Sequence, residues 1–218
     1  MKHYARPHNA IVRFLGAAMV VLLVTAPASH ARATADAPDP AARLIDVLEL
    51  HEGSIVAEMG AGSGARTLAI ARHVGPTGHV YTSELGAANL DKLRKAIEAG
   101  GVQNVTVIEG APTETNLPEA CCDALFMEKV YHHFDDPAAM DASIFRSVKP
   151  GGRVAIVDFA AASEAARPQD RDTDGHHGVT PATVQAELEK AGFELVRIDQ
   201  PDKSANRDFL VLMRKPLK

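Results

Sequence analysis

Nowhere does the sequence gather its lysines and arginines into a basic stripe, and its formal net charge is -5. A surface that neutralises phosphates needs such a stripe, so nucleic acid is not expected as a partner. Cysteine is scarce as well. The two that occur, Cys121 and Cys122, are neighbours and cannot staple distant segments together. A bond between them would be strained, so they read as small, half-buried residues leading into a strand, with a soft-metal or redox role the lesser alternative. Tryptophan is absent and aromatics make up 5% of the chain, yet 46% of the residues are hydrophobic. At 218 residues this suits one domain with a real core rather than two. No internal repeat is present.

The apolar run from Phe14 to Val24 is shorter than the ~20 residues that cross a bilayer. Lys2, Arg6 and Arg13 precede it and small residues follow, the layout of a secretory signal over residues 1–33, with A-x-A cuts after Ala28 or Ala33. Even uncleaved, positive charge on its N-terminal side would leave the domain outside the cytoplasm. No cysteine follows the run, so a lipid anchor is not indicated. The expectation is an exported chain, periplasmic or secreted, with an Ala/Pro/Asp linker over 34–39, a folded domain over 40–218 and no stable membrane span in its mature form.

Asp39 as N-cap and Pro40 announce a first helix whose stripe is Leu44, Ile45 and Leu48. From there short apolar runs alternate with helical patterns. Ser54 to Met59, His79 to Glu84, Val105 to Glu109, Ala124 to Glu128 and Arg153 to Phe159 read as strands. Ala65 to Val74, Ala88 to Ala99 and Asp136 to Val148 read as helices between them. Such alternation predicts an α/β fold: right-handed βαβ units on a parallel sheet with helices on both faces. After a helix from Pro181 to Ala191, capped by Thr180, the runs Phe193 to Asp199 and Phe209 to Met213 have only a loop with Pro201 between them. They predict a terminal antiparallel hairpin.

The first strand runs into Gly60-Ala61-Gly62-Ser63-Gly64 and then into a helix. Glycines there let the backbone turn tightly and let a ligand approach the amides at the helix N-terminus. Twenty residues past Gly64, at the end of the next strand, stands Glu84, where a carboxylate can accept both hydroxyls of a ribose. A nucleoside-type cofactor follows from the pair. The loop alone does not choose which, because Gly60-x-Gly62-x-x-Ala65 also satisfies the loose dinucleotide pattern of NAD enzymes.

Val56-Ala57-Glu58-Met59-Gly60-Ala61-Gly62-Ser63-Gly64 resembles motif I of the class I S-adenosylmethionine-dependent methyltransferases, including the acid two places before the first glycine. Glu84, Asp123-Ala124-Leu125-Phe126, Val148-Lys149-Pro150-Gly151-Gly152-Arg153 and Ala191-Gly192-Phe193 follow in the family's order. The resemblance covers about residues 40 to 214. It implies a seven-stranded, mostly parallel Rossmann-like sheet whose last strand inserts antiparallel. It also implies S-adenosylmethionine as cofactor and a small molecule as methyl acceptor. Carried over by position, Glu58 orients the loop and the methionine end of the cofactor, Gly60, Gly62 and Gly64 underlie it, and Glu84 holds the ribose. Glu109 and the stretch Ala111 to Thr113 flank the adenine. The family often has an acid where Ala111 stands, which shifts adenine recognition to backbone groups, Thr113 or Glu114 and keeps a non-catalytic cofactor-binding relative as an alternative. An NAD-dependent oxidoreductase is the other; it wants a Tyr-x-x-x-Lys pair, and none occurs.

Methyl transfer from a sulfonium is an in-line displacement, so the protein aligns the nucleophile and, for an oxygen or nitrogen acceptor, removes a proton. Past the fourth strand lie His132 and His133, candidates for a general base or substrate contact, or else for packing under the cofactor. A polar loop, Asp170-Arg171-Asp172-Thr173-Asp174-Gly175-His176-His177, opens like a calcium loop but has Pro181 at the twelfth position. It reads as a solvated loop or a lid. Neighbouring histidines rarely ligate one ion together, and the spacing of these four fits no recognised site, so no metal is expected.

Overall fold

In the computed structural model the described residues are Met1, 41–161, 163, 167–173, 175–200 and 208–218. The expected signal and linker, Asp39 with Pro40, Asp174 and Pro201 lie outside them. All elements below belong to the unit Ala37–Lys218.

Seven strands, β1 Ile55–Met59, β2 His79–Glu84, β3 Val105–Glu109, β4 Cys122–Glu128, β5 Val148–Phe159, β6 Glu194–Asp199 and β7 Asp208–Arg214, form one sheet in the order β3-β2-β1-β4-β5-β7-β6. β1 to β5 pair in parallel. β7 runs antiparallel between β5 and β6. The reason is in the chain: a parallel crossover needs a dozen or more residues, and β6 and β7 are joined by too few. The expected hairpin and the expected antiparallel last strand are both present.

Helices α1 Ala42–Val47, α2 Ala65–Val74, α3 Ala87–Gly100, α4 Pro137–Ser147 and α5 Pro181–Lys190 cover the sheet on two sides. The period of two along each strand decides which side chains meet which helix. Val56 packs with Leu44 and Val47 of α1 and with Ile70, Ala71 and Val74 of α2. Its neighbours Ala57 and Met59 point the other way, among Met140 and Ile144 of α4 and Val184 and Leu188 of α5. The chain leaves β1 toward α2 and β4 toward α4. Adjacent strands whose connections diverge to opposite faces open a crevice at their carboxyl ends.

Both helices on the α4/α5 side start on a proline and a capping side chain, of which the Thr180 cap was expected. Asp136 accepts from the amide of Ala139 at 3.0 Å, and Thr180 from that of Thr183 at 3.2 Å. Asp136→Ala should lower stability by about 1 kcal/mol, measurable as an earlier urea midpoint with unchanged slope.

Two readings change. β5 begins at Val148 rather than Arg153, with Lys149-Pro150-Gly151-Gly152 taken into it as a bulge: the pairing with β4 steps from Cys122–Val148 to Ala124–Arg153, and Gly151 has φ +81°. Gly151 donates to the carbonyl of Lys215, and Lys215 donates back to that of Gly152, each at 2.9 Å. Cys121 and Cys122, expected to stay unpaired, are joined by a disulfide. The turn into the irregular start of β4, whose register shifts between Cys122 and Ala124, brings their sulfurs together.

Candidate active site at the carboxyl edge of the sheet

β1 ends in the glycine loop, and the amides of Gly60 and Ala61 both donate to the carbonyl of Ser83 at 3.0 Å, which fastens the loop to β2. Gly60 has φ +71°, and a Cβ there would stand 2.4 Å from Cγ2 of Val130. Gly62 differs: its φ is +53°, and a Cβ would meet nothing within 4 Å. The first glycine is required by packing as well as by conformation. The second faces open space. Gly64, also left-handed, is the N-cap of α2.

Glu84 reaches the loop from the end of β2. Its Oε1 accepts from the Gly62 amide at 2.6 Å and its Oε2 from the Leu85 amide at 3.0 Å. A half-buried carboxylate is thus pinned at the mouth of the loop by two backbone donors.

Glu58 takes another direction. It is 5% exposed and accepts a hydrogen bond from Thr67 Oγ1 on α2, which in turn lies 3.1 Å from Thr82 Oγ1. Burial pushes the Glu58 carboxyl up to about 7, against the lowering effect of the Thr67 hydrogen bond. Its side chain couples the end of β1 to α2 from behind the loop and is not part of the cleft wall.

The cleft has a volume of about 450 Å³. Met59 and Gly60 form its floor, Ser83, Glu84 and Leu85 one side, and Gly110, Ala111, Pro112, Glu114 and Thr115 the next. Glu128, Lys129, Val130, His133 and Phe134 close the far end with Met140 of α4. Of the residues expected to flank an adenine, Ala111 is in the wall; Glu109 and Thr113 are not. The carbonyl of Glu109 instead accepts from the Asn116 side chain at 2.9 Å. Glu114 lines the cleft, but its carboxylate is engaged by Ser143 at 2.8 Å and Arg146 at 2.7 Å. Lys129, with φ +57°, is a strained non-glycine position in the wall. A larger hollow of about 580 Å³ beside α4 and α5 has neither the glycine loop nor Glu84 in its walls, so the smaller cleft is the candidate site.

Tyr131–His133 form a short 3-10 turn after β4, and the two histidines separate. His133 is about half exposed and lines the cleft. His132 is 2% exposed, lies outside the wall, and is held by Asp158 at the end of β5. Its Nδ1 is 2.9 Å from Oδ1, and its backbone amide donates to Oδ2 at 3.2 Å. His177 stacks edge-on to the His132 ring at 4.9 Å, and Asp172 Oδ1 lies 3.4 Å from His133 Nδ1 and 3.5 Å from His177 Nε2. His176 turns away to Ser163, with Nδ1 and Oγ 3.1 Å apart. Sequence reasoning missed Asp158. An acid at the carboxyl end of the strand next to β4 was the available signal.

The fold is shared with a solved S-adenosylmethionine-dependent methyltransferase from Aquifex aeolicus: TM-score 0.66, 23% identity, 79% of this chain and 87% of that one. Residues 57–156 match the family described as Methyltransferase domain. That segment begins in β1, ends in β5 and contains the glycine loop, Glu84 and His133 in one stretch.

Residues 57–156 thus match a methyltransferase domain.

Among relatives of the chain, a protein-L-isoaspartate O-methyltransferase of Methanothermobacter thermautotrophicus is 29% identical over 56% of the chain and 54% of its own length. An arsenite methyltransferase of Halobacterium salinarum is 26% identical over 70% of the chain and 40% of its own length. The chain spans about half the length of the relatives it matches.

Proposed function

We propose that this chain transfers the methyl group of S-adenosylmethionine to a small molecule. One observation carries the reading: the Glu84 carboxylate is pinned beside an open left-handed glycine, at the ends of neighbouring strands, in the wall of one cleft. Such an arrangement suits a ribose on the carboxylate and a backbone approach over the loop. The roles of the cleft residues follow from their places. Glu84 holds the ribose hydroxyls, Gly60 and Gly62 underlie the cofactor, and Gly64 turns the chain into α2. Glu58 fixes the loop through Thr67. Ala111 and Pro112 flank the adenine, while Glu109 and Thr113 shape the loop that presents them.

The sulfonium of the cofactor supplies an electrophilic methyl group. His133 stands in the wall formed beyond β4, two strand spacings, ~10 Å, from the strand end that carries Glu84. Its imidazole is placed to orient an acceptor and to take the proton that an oxygen or nitrogen nucleophile loses. His132, outside the wall, positions that turn through Asp158. The relatives act on acceptors as different as a protein isoaspartate and arsenite, so no acceptor is carried over from them. A small molecule is favoured by the size of the cleft and by the lack of a basic face.

Calorimetric titration with S-adenosylmethionine, S-adenosylhomocysteine and NAD tests the reading. Binding of the first two and not of NAD is expected, and failure of both to bind would sink it. Tight binding with no methylated product across a broad acceptor screen would favour a non-catalytic module, the alternative that Ala111 supports.

We propose further that residues 1–33 direct export, on the strength of Lys2, Arg6 and Arg13 ahead of the Phe14 to Val24 run and the A-x-A sites behind it. A mature N-terminus at Ser29 or Thr34 in an extracytoplasmic fraction is the expected result. An intact Met1 in the cytoplasm, where this charged cofactor is made, would refute it.

A further inference from the structure

We infer that His132, His133, His177 and Asp172 bind a divalent transition-metal ion at the edge of the cleft. The starting point is a buried lone pair. Asp158 accepts from the backbone amides of His132 and Phe159 and from His132 Nδ1. A carboxylate so placed is an acceptor, which puts a proton on Nδ1; in the neutral ring that a metal ion would bind, Nε2 then carries the lone pair. That Nε2 is buried and has no hydrogen-bond partner among the described residues. Buried polar atoms are nearly always satisfied, and a metal ion satisfies an imidazole lone pair. A carboxylate behind the other ring nitrogen is also what orients metal-ligating histidines elsewhere.

The other donors gather in front of it. One ligand atom from each of His132, His133 and Asp172 lies within 4.8 Å of the rest, while His177 stands outside that group, its Nε2 3.5 Å from Asp172 Oδ1, and joins the ion by rotating its side chain. The 3.4 Å and 3.5 Å separations from Asp172 Oδ1 to His133 and His177 are too long for charge-assisted hydrogen bonds of ~2.7–2.9 Å. They match the ~3.3 Å edge of a tetrahedron with metal–ligand bonds of ~2.0–2.1 Å. The remaining closure falls on His133, Asp172 and His177, whose side chains are about half exposed.

The loop that brings Asp172 and His177 is fastened on both sides of them. Arg171, 5% exposed, pairs with Glu187 of α5 at 2.6 Å. Val179 donates to the carbonyl of Phe159 at 3.1 Å, and a Cβ on Gly178 would stand 2.6 Å from that same oxygen. Three imidazoles and one carboxylate suit zinc, iron, cobalt or nickel rather than calcium or magnesium. Because His133 is shared with the cleft, the ion borders its end away from Glu84, and while the ion is bound the His133 lone pair is a ligand and not the proton acceptor. There it would meet an acceptor carrying an oxygen, nitrogen or sulfur donor, a role that rests on the methyltransferase reading, whereas the binding site itself does not.

The test is metal binding alone, without cofactor. Untagged full chain, freed of metal by chelation, is titrated with Zn(II) by calorimetry and with Co(II) by visible absorption. One equivalent, with Co(II) bands of a nitrogen-rich tetrahedral site, is expected. His177→Ala and Asp172→Asn, both at exposed positions, should each weaken binding at least ~10-fold, and Asp158→Asn by ~10–100-fold. His132→Gln should abolish it. The Cys121→Ser/Cys122→Ser double variant should bind as the wild type does. No stoichiometric binding, binding unchanged in His177→Ala and Asp172→Asn, or binding lost in a folded double-cysteine variant would each overturn the assignment. Failure of methyl transfer with metal bound would overturn the activity and leave the site standing.

Discussion

Glu84→Ala is expected to weaken S-adenosylmethionine binding on the order of 100-fold while leaving thermal stability nearly unchanged. A carboxylate accepting from two ribose hydroxyls makes two charge-assisted hydrogen bonds, and a hydrogen bond to a charged group contributes ~1.5–3 kcal/mol. At ~1.4 kcal/mol per tenfold, losing about 3 kcal/mol of net contact gives that factor. The fold loses little, because the two amides that Glu84 accepts from, Gly62 and Leu85, sit at the mouth of an open cleft and pass to water. Glu84→Gln keeps one acceptor and loses the charge, so an intermediate loss of roughly tenfold is expected. Calorimetry of the three proteins reads both numbers, and an Ala variant with wild-type affinity would remove Glu84 from the ribose.

Much of the architecture was legible because strand and helix periods differ and because loop length limits topology. The short β6 to β7 connection could only return antiparallel, and the glycine loop after β1 announced the cleft. Even the direction of Glu58 was available. Alternation puts Glu58 on the face of Val56, toward α2, and sends Met59 to the opposite face. That is why Thr67 meets Glu58 and the cleft meets Met59. The start of β5 was not legible, since Pro150-Gly151-Gly152 has the composition of a turn and joins the strand only as a bulge bonded to Lys215.

The histidine cluster was illegible for a different reason. His132 and Asp158 are 26 residues apart on neighbouring strand ends, and His177 returns from a loop that local pattern cannot place. Adjacent histidines were expected to act as a pair. The turn instead buries one ring under the other and gives them different neighbours: Asp158 for His132, the cleft and Asp172 for His133.

Glu58→Gln should make the protein more stable at pH 8 by roughly 3 kcal/mol and change it little at pH 4. Burial raises the folded-state value of Glu58 from 4.5 to about 7. Below 4.5 folded and unfolded chains both hold the proton, so the group contributes nothing to the pH dependence. Between 4.5 and 7 the unfolded chain has released a proton that the folded chain keeps, and stability falls as pH rises. Above 7 both are ionised and the loss is constant, at ~1.4 kcal/mol for each pH unit between the two values. Glutamine keeps the shape and an acceptor for Thr67 and carries no charge into the interior, so it removes that slope. Asp141, fully buried beside Tyr131 and raised from 3.8 to about 7 mainly by burial, acts with the same sign. The wild type therefore has two superposed losses over nearly one window, and Asp141→Asn should remove the other. Urea midpoints of the wild type and both variants from pH 4 to pH 8 separate the two contributions. A Glu58→Gln protein with the wild-type slope would show that the carboxyl is solvated in solution and does not meet Thr67 in a dry site.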